Sequence, residues 1–238
     1  MGKYILLFVI FITLSKSSAC QGNNAAVVNK DESTIDILRG NNARQLEEMF
    51  VDSTAIGKKR FNKLELARYR ISDSSYVIIK FFSKKNGKWE LRNRFQFPKD
   101  DATNCDPNIT DFNNDRLNDV TYVSAVAARS ANEVRRLFIY SKVNDSLVYI
   151  ENSEDYPNMR YNKYLNCIDA FLIYGGCSTI FLKLNNDKLT EIASVDATDD
   201  LVVSVYGKDG QGKVIYKKKN ISYYIRYKNY KPLIAYDK

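Results

Sequence analysis

The first apolar stretch of the chain, Tyr4 to Leu14, is almost unbroken, follows Lys3 and ends in the small residues Ser15, Ser17, Ser18 and Ala19. As a helix these eleven residues would cover only about 16 Å, roughly half of a bilayer's hydrocarbon core. A short apolar run with a basic start and a small-residue exit is the pattern of a cleavable signal peptide over residues 1–19. Further on, the polar stretch 20–33 gives way to Thr34–Phe50, where Ile35, Ile37, Leu38, Leu46 and Met49 mix with Glu47 and Glu48. That mixture predicts a short N-terminal helix.

From there the pattern changes to short runs of Tyr, Ile, Val and Phe broken by turn residues. Strands are predicted at Leu64–Ile71, Tyr76–Phe82, Trp89–Phe97, Val120–Val126, Arg136–Ser141 and Leu147–Ile150. Further candidates are Tyr164–Tyr174, Thr179–Leu184, Leu189–Val195, Leu201–Tyr206, Lys213–Lys218 and Ile221–Tyr227. Asn86-Gly87 between two of them is a strong hairpin signal, because both residues tolerate positive φ. Asn144-Asp145, Asn185-Asn186-Asp187 and Lys208-Asp209-Gly210 punctuate the rest. The expectation is an all-β, mainly antiparallel domain over residues 34–238, irregular and propeller-like or sandwich-like.

Composition narrows the chemistry. The chain has no histidine, which removes the Ser-His-Asp triad, the Cys-His dyad and His-ligated zinc. An enzyme would need a carboxylate pair, as in a glycosidase, and no motif identifies one. The chain is therefore expected not to be an enzyme. Its 36 Lys and Arg against 28 Asp and Glu give +8, scattered along the chain and partly lost with Lys3 and Lys16 of the leader. This is no nucleic-acid signature. Lys217-Lys218-Lys219 forms a local cluster in a strand-like region and reads as a guarded edge. The 17 tyrosines suit half-buried pleated faces.

Ser17-Ser18-Ala19-Cys20 resembles the bacterial lipobox, with Ser17 where Leu is commoner. The resemblance implies lipidation at Cys20, a flexible tether over residues 20–33, and a membrane contact through the N-terminal lipid. The expected address is outside the cytoplasm, at the outer membrane on its periplasmic or surface face. Cys105, Cys167 and Cys177 then remain in a compartment that permits disulfides. Cys167 with Cys177 is the expected pair, since Gly175-Gly176 could fold their flanks together, and Cys105 with either is the rival.

One loop carries candidate chemistry. Asp111-Phe112-Asn113-Asn114-Asp115-Arg116-Leu117-Asn118-Asp119 sets oxygen-bearing side chains at places one, three, five and nine. A chain curling around a hard cation presents alternate side chains to it and a backbone carbonyl at place seven. Asp111, Asn113 and Asp115 are predicted as direct ligands of Ca²⁺, Leu117 through its carbonyl, and Asp119 directly or through water. All these donors are hard oxygens, which favours calcium over zinc or copper. Arg116 stands where Gly is usual, and Tyr122 where an EF-hand has Glu. The plain alternative is an Asn/Asp-rich turn joining two strands.

This loop followed by a strand resembles the calcium loops of FG-GAP and VCBS repeats, in a single copy. With Leu137–Tyr140, Asp145–Tyr149, Ile173-Tyr174-Gly175-Gly176-Cys177 and Leu189–Ile192, the stretch 76–225 is similar to a family of exported bacterial proteins. These have an irregular propeller-like fold and one calcium loop, and they include periplasmic lysozyme inhibitors. The resemblance implies a non-catalytic binding or scaffold module, with lysozyme inhibition as the alternative and a lysozyme-like protein or a glycan as partner. The inhibitors' Ser-Gly-x-x-Tyr loop does not occur here, and Ser130-Ala131-Asn132-Glu133 is a distant stand-in. The loops 127–134 and 153–161 are expected to be exposed and to meet the partner.

Overall fold

In the computed structural model the described residues are 44–219 and 224–237. They form sixteen strands, β1 (Gln45–Asp52), β2 (Asn62–Ile71), β3 (Ser74–Lys85), β4 (Lys88–Lys99), β5 (Asn108–Thr110), β6 (Asp119–Ala127), β7 (Asn132–Ser141) and β8 (Ser146–Tyr149). The remainder are β9 (Arg160–Asn162), β10 (Cys167–Ile173), β11 (Cys177–Asn185), β12 (Lys188–Ala197), β13 (Asp200–Tyr206), β14 (Gly212–Lys219), β15 (Tyr227–Tyr230) and β16 (Leu233–Ala235). The protein is all-β, and every strand pair within its sheets is antiparallel.

The strands form open meanders in chain order. β1–β4 make a four-stranded sheet, β5–β8 a second, β9–β14 a six-stranded sheet, and β15–β16 a small hairpin. Hairpin chemistry explains the local connectivity. Asn86 and Gly87 both take positive φ, +50° and +79°, as a tight turn between right-twisted strands requires.

Packing follows from strand alternation. Leu64, Leu66, Val77, Ile79, Phe81 and Phe97 of the first sheet meet Val120, Tyr122, Phe138, Tyr140 and Leu147 of the second. On the other face of that second sheet, Leu137 and Ile139 pack with Ile168, Ala170, Leu182 and Leu189. Phe181, Val195 and Val203 of the third sheet then pack with Tyr227, Tyr230 and Leu233 of the terminal hairpin. The second sheet is thus covered on both sides. Its strand β7 is buried continuously from Arg135 to Tyr140, which is why the sequence there reads as a run and not as an alternation.

Several expectations are corrected. The predicted helix over Thr34–Phe50 ends in strand β1 from Gln45 onward, paired with β2, and its earlier part lies outside the described residues. There, Phe50 turns to the core while Leu46, Met49 and Val51 stay exposed, so the mixed pattern belongs to an edge strand, which alternates only on its covered face. The strand predicted from Tyr164 starts at Cys167, because Lys163–Asn166 turn back from β9. Ile221–Tyr227 falls partly outside the described residues, and among the described ones strand pairing begins at Tyr227.

The expected disulfide is also corrected. Among the described residues no disulfide joins Cys105, Cys167 and Cys177, and all three are buried. In the β10–β11 hairpin Cys177 lies opposite Ile173, and Cys167 is at the far end of the same strand. Six residues at about 3.3 Å each put the two cysteines roughly 20 Å apart, whereas a disulfide needs Cα atoms within about 7 Å. The Gly-Gly turn does fold the flanks together, but in a register that separates the thiols.

Candidate functional site

The loop 111–119 links β5 to β6, whose pairing closes it at Thr110 opposite Asp119. Its first half winds around its own side chains. Asp111 accepts hydrogen bonds from the backbone N–H of Asn113 at 3.2 Å, of Asp115 at 3.2 Å and of Arg116 at 2.8 Å. Asn113 Oδ1 accepts from Asp115 N–H at 3.1 Å, and Asp115 Oδ1 from Leu117 N–H at 2.8 Å. Three successive odd-numbered side chains therefore face the inside of one turn. Such winding requires left-handed residues, and Asn114 and Arg116 take φ of +61° and +70°. Arg116 does so without being Gly, at a cost of roughly 1 kcal/mol.

Leu117 packs against the first core cluster, as expected of a residue that offers only its carbonyl to the loop. Asp119 is fully buried. Its Oδ2 accepts from Phe112 N–H and its Oδ1 from Tyr140 N–H, each at 2.8 Å. It ties the start of the loop to β7, and each oxygen keeps a second lone pair. Burial pushes its pKa up to about 7, against the two backbone donors, and the charges of Asp115 and Asp111 push the same way. An acid buried among like charges is under-compensated.

A second element holds the loop from outside. Asp52, at the end of β1, accepts from the backbone N–H of Ala55 at 3.0 Å and of Ile56 at 2.9 Å. Burial would raise its pKa, but these backbone donors and Thr54 outweigh it and hold the carboxyl below its ordinary value. The segment so folded reaches the loop, where Gly57 N–H donates to Asn118 O at 2.9 Å and Asn118 Nδ2 to Ala55 O at 3.1 Å. Gly57 has φ +52°, and a Cβ there would lie 2.7 Å from Asn62 Oδ1. Asp52 and Gly57 were missed in the sequence. Their only signal is an Asp followed by a Gly five residues later, which has no fixed meaning without the partner segment.

The residues present fit a hard cation: three carboxylates, an amide oxygen and a backbone carbonyl, all oxygen, with a net negative charge. The structure brings Asp111, Asn113 and Asp115 into one turn and sets Asp119 beneath it. Among the described residues no three Asp, Glu, Cys or His groups converge at metal-ligand spacing. A ligand set here would have to draw on Asn113 and the Leu117 carbonyl as well as the acids. Beside the loop lies an open cavity of about 270 Å³, bounded by Phe112, Asn113, Tyr161, Ile168, Leu182 and Lys183.

No family model matches the chain, and no curated protein does. Among the solved structures similar to it is one described as that of a Xanthomonas type IV secretion system related protein. The identity is 13%, the TM-score 0.44, and the match covers 74% of this chain and 97% of that one. A likeness this slight carries no argument about the site.

Of the two loops expected at the surface, one is exposed. Residues 127–130 at the β6–β7 turn face solvent, and Ala128, Arg129 and Ser130 take φ of +49°, +55° and +69°. Three consecutive left-handed residues without a glycine need support from their surroundings. Asn158 supplies it, donating to Ala131 O at 3.0 Å and accepting from Glu133 N–H at 3.0 Å. The segment 153–161 is not a free loop, because Ser153, Pro157 and Met159 are buried in it. The residue expected to be lipidated, Cys20, lies outside the described residues, and no described helix is long and apolar enough to cross a membrane.

Proposed function

We propose that this protein is a non-catalytic, calcium-binding lipoprotein of the bacterial cell envelope, a binding or scaffold module of the FG-GAP-like kind. The observation that carries the reading is Asp119, a fully buried acid whose neighbouring charges are Asp111 and Asp115. A divalent cation in the turn above it would balance all three. Asp111, Asn113, Asp115 and the Leu117 carbonyl would hold the ion, and Asp119 would support the loop from below. The role is structural: the ion joins β5, β6 and the segment 52–57 into one unit. The lipobox-like Ser17-Ser18-Ala19-Cys20 supports export and anchoring, and the absence of histidine agrees with a role without turnover.

The test is a thermal melt of the mature chain, residues 21–238, with calcium, with magnesium and with chelator. A rise given by calcium alone supports the reading, and superimposable melts at saturating calcium sink it.

A second reading, inhibition of a lysozyme, is favoured by the left-handed turn at Ala128-Arg129-Ser130. A strained, supported and exposed tip is suited to insertion into a partner's cleft. It would place Arg129 outermost. A muramidase assay with the protein added decides this: activity unchanged at micromolar protein rules the inhibitor out, and loss of inhibition in Arg129→Ala identifies the tip.

A further inference from the structure

The last strand of the six-stranded sheet, β14, is exposed at every one of its eight residues. It pairs only with β13, so its outer edge is free among the described residues. Its sequence, Gly-Lys-Val-Ile-Tyr-Lys-Lys-Lys, combines Val214, Ile215 and Tyr216, among the exposed large apolar residues of the protein, with Lys213, Lys217, Lys218 and Lys219. Among the described residues Lys217 has an acid beside it, pairing with Asp200 of β13 at 2.9 Å. The sequence reading of this cluster as an edge guarded by lysines explains the charge. It does not explain three neighbouring apolar residues on the same strand that stay 56%, 37% and 43% exposed, Val214, Ile215 and Tyr216.

From this combination we propose that the β13–β14 hairpin is a membrane-contact element that seats on an anionic lipid surface. Lysine ammoniums reach lipid phosphates while their stems and the apolar side chains enter the headgroup region. A second copy of the strand fits less well, because full antiparallel overlap sets Lys213 opposite Lys218 and gives Lys217 and Lys219 only Val214 and Gly212 to face, with no acid on either strand. The proposal rests on the envelope-lipoprotein reading.

The experiment uses the mature chain without its lipid, residues 21–238, sedimented with vesicles of neutral phosphatidylcholine and of phosphatidylcholine mixed with phosphatidylglycerol. Binding is expected only to the anionic vesicles, reversed by salt. Each of Lys217→Gln, Lys218→Gln and Lys219→Gln should weaken it about fivefold, and Ile215→Ser should weaken it further, with melts and calcium response unchanged. Three results overturn the proposal: no binding to anionic vesicles, equal binding of the lysine variants, or binding to polyglutamate with none to lipid, which would make the partner an acidic protein. Since the calcium melt reads a different part of the molecule, failure here and failure of the calcium reading are separately visible.

Discussion

Two aspartates among the described residues are completely buried, and their surroundings are opposite. Asp169, on β10, meets Arg226 through Nε at 2.6 Å, Tyr236 OH at 2.5 Å and Arg160 Nε at 3.5 Å. Burial lowers the Arg226 pKa, and Asp169 opposes that shift. Asp119, on β6, has two backbone N–H groups and two further carboxylates. The first acid finds its countercharge within the fold. The second gathers negative charge around itself, and that difference is what the proposed calcium site rests on.

The largest expected effect tests the self-sufficient site. Asp169→Ala leaves Arg226 buried without its carboxylate and should cost about 3–5 kcal/mol in urea unfolding, with or without calcium. An equal loss only in chelator would break the comparison.

At the other site, pH should act through Asp119. A carboxyl whose folded pKa is raised carries no penalty below its unfolded value of 3.8, and the penalty grows until it is full above about 7. In chelator, Asp119 therefore contributes a loss of stability as pH rises through that window. Melts at about pH 5 and about pH 8 should show a larger calcium gain at the higher pH. A gain independent of pH would detach Asp119 from the ion.

Calcium at a hundredfold excess over its dissociation constant should add about 2.7 kcal/mol. Asp111→Ala and Asp115→Ala should each remove most of that gain and leave the Asp169 cluster untouched. If either variant keeps a wild-type melting shift, the ligand assignment is wrong.

The smallest effect concerns the support. Asp52→Ala loses the acceptor for the N–H groups of Ala55 and Ile56 and should cost about 1–2 kcal/mol. It should also weaken calcium binding, because the segment it folds holds Asn118 through Gly57. An unchanged calcium titration would separate the two.

Much of this was legible in the residues. The strands β3 and β4 with their Asn86-Gly87 turn, β11 and β12 with Asn185-Asn186-Asp187, and β13 and β14 with Lys208-Asp209-Gly210 follow from β-branched and aromatic runs between residues that accept positive φ. So does the loop at Asp111, because calcium-type spacing is local. The edge strand β1 was read as helix, since a strand covered on one face by a neighbour and open elsewhere lacks a clean period. β5, β9, β15 and β16 are three or four residues long and carry no pattern of their own.

The sequence by itself determined the all-β class, the turns and the turn of oxygen donors, because these depend on residues within about ten positions of one another. Only the tertiary structure decided what each buried group meets. It set Cys167 and Cys177 at opposite ends of a hairpin, gave Asp169 one arginine from the neighbouring strand β9 and another, Arg226, from the far end of the chain, and left Asp119 between Phe112 and Tyr140 with no countercharge among the described residues. Register and sheet stacking fix those meetings. They arise from long-range packing of whole faces, which no short stretch of sequence encodes.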